Sequence, residues 1–335
     1  MSPLALLLAL VLTPPVDLGS GSVPAIVQTD AGALVAWRDN ALKVALAGGS
    51  TATLFDRDPA AHALATIGAE SLAVWADGAR LTAIRLDGRG VPIGESFTIA
   101  NTTTAQVAAV ADGERYVVAW PGVFGDIWAL ILDRNGGIVL PPTPVTTQST
   151  DTPTSLHVAS NGDAFLITWT VGRRVFAQLV DINGVPRSFL PVQVASVGGP
   201  SDVVSNGRDF LVVWQRAPNG FGLGARAVLA DSEVGDELLL TTGTDGEPRV
   251  AWDGSAYAVA FGSIVQFGSR SIPMLMVERF GANGFPIEST STVLPSGHAI
   301  AARAGRIAVS YVAGGRVVVV FADAAPLPSR RRALR

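Results

Sequence analysis

Two glycine-rich stretches each bring a guanidinium, a carboxamide and an aromatic ring close together along the chain. The first reads Arg216-Ala217-Pro218-Asn219-Gly220-Phe221-Gly222, the second Ser263-Ile264-Val265-Gln266-Phe267-Gly268-Ser269-Arg270. Such a set binds rather than reacts. An aromatic face takes the apolar side of a sugar or peptide, an arginine forks a carboxylate, and an amide both donates and accepts. Phe221 and Phe267 are the expected apolar anchors, Arg216 and Arg270 the charged ones, and Asn219 and Gln266 the neutral polar ones. The competing reading is drift in the length of surface loops, which costs a fold little.

The other residue types that do chemistry read as structure. His62, His157 and His298 fall at similar places in three sequence units, so a shared metal site is conceivable, but the units are not all neighbours. Asp133-Arg134-Asn135-Gly136 offers two oxygen ligands and no closing acid, which makes a turn rather than a calcium loop. The chain has no cysteine, which removes disulfides, thiolate catalysis and cysteine metal sites together. It has no Gly-x-Ser-x-Gly elbow for a serine nucleophile. No pattern calls for a cofactor or a metal. A net charge of −4 supplies no basic field for nucleic acid or for an anionic membrane surface.

The elements that carry these residues repeat. Ser160-Asn161-Gly162-Asp163 runs into an apolar stretch ending at Trp169. The phrase returns at Asp112-Gly113 to Trp120, Asn206-Gly207 to Trp214 and Asp253-Gly254 to Phe261, with glycine and aromatic seven residues apart each time. The closing aromatics are Trp37, Trp75, Trp120, Trp169, Trp214, Phe261 and Tyr311, at spacings of 38, 45, 49, 45, 47 and 50. A period of that length matches a four-stranded propeller blade, so seven phrases predict seven blades. The runs before the aromatics, such as Tyr116-Val117-Val118-Ala119-Trp120, are apolar on both alternating sets, as befits a blade covered on both faces. No stretch has sustained helical periodicity.

The expected fold is therefore all-β, one propeller of seven four-stranded blades. Each Asn-Gly or Asp-Gly pair makes a two-residue hairpin turn between the first and second strands. In the fourth unit the last strand is expected at 189–194. The last unit lacks a fourth strand and the N-terminus has one to spare, so residues 13–18 are expected to complete the final blade and close the ring. The propeller then spans 13–325. Residues 326–335 form an arginine-rich tail. Residues 1–12 are either an export signal or a truncated start: the run of ten apolar residues from Pro3 to Leu12 has signal-core length and is too short to span a bilayer. A single lysine, Lys43, against 23 arginines reads as the mark of a GC-rich bacterial genome.

The pattern Pro-x-x-Ala/Val-x-Asp/Asn-Gly-x-x-Tyr/Phe-x-Val-x-Trp, followed by a strand ending Leu/Val-Asp-x-x-Gly-x-Pro, resembles the repeats of secreted bacterial β-propeller proteins of unassigned role. The resemblance covers 22 to about 325. It implies a ring of blades, export to the periplasm or outside the cell, and binding or scaffolding; it carries no catalytic residues. The expectation is a monomeric, non-catalytic module with a carbohydrate or peptide ligand. The alternatives are a propeller hydrolase or lyase acting on polysaccharide and a purely structural surface repeat. A sialidase-type site resembles arginines gathered around a tyrosine nucleophile, but Tyr116, Tyr257 and Tyr311 all fall on strands expected to be buried, and the Ser-x-Asp-x-Gly-x-x-Trp box is not matched.

Overall fold

The computed structural model describes residues 8–9, 11–146, 151–216, 222–242, 246–267, 270–282, 284–293 and 297–324. Every element in them is a strand, and the strands form seven antiparallel four-stranded blades. Blades 1 to 5 run Ser22–Thr29 to Thr51–Phe55, Ala61–Ile67 to Pro92–Asn101, Ala108–Ala111 to Ile138–Pro144, Thr154–Ser160 to Val192–Ala195 and Ser201–Ser205 to Leu238–Thr241. Blade 6 is built from Arg249–Trp252, Tyr257–Phe267, Arg270–Phe280 and Pro286–Val293. Blade 7 takes His298–Arg303, Arg306–Ala313 and Arg316–Asp323, with Val16–Ser20 as its outer strand. Inner strands of successive blades lie side by side all the way round, with His298–Arg303 closing onto Ser22–Thr29. This is a seven-bladed β-propeller.

The ring is closed by the N-terminal strand, as the unit count requires. Val16 pairs with Val319 and Ser20 with Arg316. Thr13 adds a backbone bond of 2.8 Å to the Phe321 carbonyl, and Arg316 donates to Asp17 at 2.6 Å. Leu8–Ala9, from within the apolar run, pair in parallel with Glu288 and Ser289, so blade 6 carries a fifth strand.

The core is divided among the interfaces between blades. Among the described residues eight clusters of buried apolar side chains each join two neighbours, from Leu34, Trp75 and Leu86 between blades 1 and 2 to Trp37 and Val319 between blades 7 and 1, with two of the eight between blades 3 and 4. The second strand of each blade feeds both flanking interfaces. All eight residues of Ala164–Val171 are buried, which is why these strands lack polar alternation. The seven closing aromatics are all 5% exposed or less, so they are packing residues. Removing one such ring from a core costs about 3–5 kcal/mol.

Two local expectations need correction. Asn161 and its counterparts are not central turn residues. Asn161 N–H bonds the Ala164 carbonyl, and its Oδ1 accepts from the N–H groups of Asp163 and Ala164 at 3.0 and 2.8 Å. The turn proper is Gly162-Asp163, with φ +96° at the glycine, which is where a type II′ turn needs one. The outer strand of blade 4 is Val192–Ala195, because Gln178 Nε2 holds the Ser188 carbonyl and Leu190 closes back on Ser188, which leaves Phe189 exposed.

Candidate functional site

A propeller of this connectivity has two unlike faces. One carries the turns between first and second and between third and fourth strands, the turn face. The other carries the second-to-third hairpins and the links between blades, the hairpin face. The inner strands start on the hairpin face, so their first residues form the mouth of the axial channel. A cavity of about 410 Å³ opens there, within the roughly 300–1,000 Å³ of ligand pockets. Its walls are apolar inner-strand residues such as Ile26, Leu64 and Leu156, and its polar groups are Arg38, His62, Gln106, Ser155, His157, Glu247 and Arg249.

Four of the polar side chains around this mouth form one chain across three blades. His157 Nδ1, on blade 4, lies 3.1 Å from Asp202 Oδ1, on blade 5. Asp202 also accepts from the N–H of Val203 at 2.8 Å and of Val250 at 2.9 Å, the second a bond to blade 6. Arg249 Nη1 lies 3.3 Å from His157 Nε2, and Arg249 Nη2 donates to Glu247 at 2.8 Å. With Nδ1–H given to the aspartate, the Nε2 lone pair faces the guanidinium. A general base needs that lone pair free; here it is occupied.

The other two histidines share a different device. His62 of blade 2 bonds through Nε2 to the Ala36 carbonyl of blade 1 at 3.4 Å, and His298 of blade 7 bonds to the Ala260 carbonyl of blade 6 at 3.1 Å. Each acceptor immediately precedes the closing aromatic of its own blade. Gln106 does the same service between blades 3 and 4, donating to the Pro153 carbonyl at 2.7 Å and accepting from Leu156 N–H at 3.2 Å. The histidines are therefore pinned to separate partners, and among the described residues no group of three potential metal ligands converges. Burial lowers all three below the ordinary imidazole range, His62 to about 4; the nearby Arg249 charge lowers His157 and His298 further. The mouth thus presents neutral imidazoles.

The residues singled out from the loops are dispersed. Arg216 lines a second cleft, on the outer rim between blades 4 and 5. Asn219 and Phe221 lie outside the described residues. The longer stretch in blade 6 is not a loop: Tyr257–Phe267 and Arg270–Phe280 pair up to Phe267 opposite Arg270, making an extended hairpin. Gln266 is bonded across it to Ser271 at 2.8 Å, and Arg270 is exposed at its tip. No described contact joins Arg216 to Gln266 or Arg270. The tyrosines are buried strand residues, and burial raises the Tyr116 phenol to about 12.

Apart from the three histidines, sequence reasoning passed over the channel mouth, although a signal was present. A polar residue stands 12 to 14 positions before the closing aromatic in six of the seven units: His62, Gln106, His157, Asp202, Arg249 and His298. Counting back from the aromatics, rather than forward into the longest loops, finds the ring of inner-strand polar groups.

No protein-family model matches the chain, and no curated protein does. Solved structures match it as folds. Hydrazine synthase of Kuenenia stuttgartiensis aligns over 88% of this chain and 94% of its own, at 13% identity and a TM-score of 0.60. The Cps50 (Swd1) β-propeller domain of Myceliophteria thermophila aligns over 92% and 98%, at 14% identity and 0.58. AofleA from Arthrobotrys oligospora aligns over 85% and 90%, at 12% identity and 0.55. At such identities the likeness shows the propeller fold alone, and neighbours so different share a scaffold, not a role.

Proposed function

We propose that this propeller is a non-catalytic binding module that takes a carbohydrate or peptide ligand at the hairpin-face mouth of its channel, acting as a monomer outside the cytoplasm. The observation that carries the reading is the polar ring at that mouth, set over an apolar well of about 410 Å³. Hydroxyls or peptide groups would exchange with its arginines, amide and imidazoles while apolar faces enter the well. The state of the acids favours binding over hydrolysis. Asp202 is held by two backbone N–H groups and His157, and Glu247 is paired with Arg249, so neither is placed as a proton donor beside a second carboxylate. Export rests on the resemblance of the repeats.

A thermal-shift screen of neutral oligosaccharides and peptides tests the proposal, since a ligand that binds only the folded chain raises the melting temperature. The expected result is a shift that Arg249→Met and Arg38→Met each abolish. A shift that both variants leave intact would remove the ligand from the channel mouth. Cell fractionation with an antibody to the chain tests export separately.

A further inference from the structure

The rim cleft between blades 4 and 5 has a volume of about 340 Å³. Its polar lining is Arg216, Arg226, Glu237, Gln193 and Ser196. Arg216 and Arg226 both face Glu237, whose Oε1 lies 3.4 Å from Arg216 Nε and whose Oε2 lies 3.7 Å from Arg226 Nη2. Both distances exceed the 2.7–2.9 Å of a charge-assisted hydrogen bond. One carboxylate thus straddles two guanidinium groups without bonding firmly to either. Arg226 is fixed in place by its Nη1 bond to the Val194 carbonyl at 2.9 Å, while its buried Nε has no hydrogen-bond partner. Two cations against one anion leave the cleft with a net charge of +1. Gln193 and Ser196 on the blade 4 wall add exposed neutral donors and acceptors.

We propose that this cleft is a carboxylate subsite, taking an acidic sugar of the uronate class. Glu237 shows the span: its two oxygens already lie across the two arginines, and a planar carboxylate is the group that an arginine pair reads on both oxygens. A ligand carboxylate entering beside or in place of Glu237 neutralises the extra charge and takes guanidinium N–H groups that Glu237 holds only at 3.4 and 3.7 Å. The sugar ring's hydroxyls then meet Gln193 and Ser196. The subsite is separate from the channel mouth and does not depend on it.

Calorimetric titration of the full chain with glucuronate, glucose and inorganic sulfate tests this. Glucuronate binds, glucose does not bind the cleft, and sulfate binds more weakly. Arg226→Met weakens glucuronate by roughly tenfold or more, the scale of a lost charge-assisted bond. Because that variant also loses the bond to Val194, Glu237→Gln is the decisive partner. It keeps both arginines, raises the net charge of the cleft to +2, and tightens glucuronate binding. Equal binding of glucose and glucuronate, or no gain in Glu237→Gln, would overturn the subsite, and sulfate equal to glucuronate would overturn its preference for carboxylates. The titrations are repeated in the Arg249→Met chain, whose channel mouth has lost its own ligand, so failure here is distinguishable from failure of the channel-mouth proposal.

Discussion

Blade 6 holds two arginine–carboxylate networks, one at each face of the ring, and they are built to opposite ends. On the turn face Arg279 is wholly buried. It donates to Asp253 at 2.7 Å, to Glu288 at 2.6 Å and to the Ser255 hydroxyl at 3.0 Å. Burial alone would push Asp253 up, yet bonds from Ala256 N–H, from Ser255 and from Arg279 hold it below the ordinary carboxylate range. On the hairpin face Arg249 bonds to Glu247 and lies against His157 with longer contacts, and all three line an open cavity. The sealed network has no room for a ligand and fixes one turn to an outer strand. The open one joins three blades and still presents donors to solvent. Charge and residue type are alike in the two; access and the completeness of bonding decide which is scaffold and which is site.

The largest effect should come from breaking the sealed network. Arg279→Met leaves Asp253 and Glu288 buried without their partner, and losing one member of a buried ion pair costs about 3–5 kcal/mol. Urea unfolding measures it. A loss below about 1 kcal/mol, the scale of an exposed pair, would erase the distinction between the networks.

Acid should act on the buried imidazoles before it reaches the sealed network. The histidines are held below their unfolded value of 6.5, His62 at about 4, so between those limits the unfolded chain binds more protons than the folded one. Their contribution to stability is complete above pH 6.5 and is lost as pH falls toward 4. Asp253, held below 3.8, keeps its contribution until pH falls beneath that value. The melting temperature should decline in two stages, the first reduced by His62→Gln. A single step below pH 4 that is unaffected by this variant would contradict the neutral imidazoles.

Arg249→Met sharpens the comparison from the other side. Partly exposed pairs contribute about 0–1 kcal/mol, so its melting curve should stay close to that of the natural chain while ligand binding is lost. A melting loss as large as that of Arg279→Met would make the open network structural.

The smallest effect is a gain. Where blades 2, 3 and 4 have Gly90, Gly136 and Gly184 in their third-to-fourth-strand turns, blade 5 has Ser232, forced to φ +76° with its hydroxyl buried and unpartnered. Ser232→Gly should raise stability by about 1 kcal/mol by removing left-handed strain, read as a higher denaturant midpoint. No gain would mean that the serine is held there by a contact worth as much as the strain.

The propeller was legible in the sequence because its signals repeat. The glycine at the turn, the apolar second strand and the closing aromatic recur together, the aromatics every 38 to 50 residues, and the spare N-terminal strand answered the incomplete last unit. The site was less legible because its residues do not repeat in type. Arg38, Gln106, His157 and Arg249 come from different units and meet only when the ring closes. Loop length misled in blade 6, where extra residues pair as strand from 257 to 280 instead of opening a pocket. In blade 5 the same cue led to Arg216, whose cleft also needs Arg226 and Glu237. Nothing in the spacing of those two residues announced that cleft.

The most direct test of the channel-mouth assignment is hydrogen exchange of the full chain with and without the ligand found by the thermal-shift screen. Slower exchange in the amides lining the mouth, at 23–26, 60–64, 105–109 and 155–158, with the turn face unchanged, is the predicted result. Protection confined to the turn face or to the outer rim, with those segments unaltered, would contradict it.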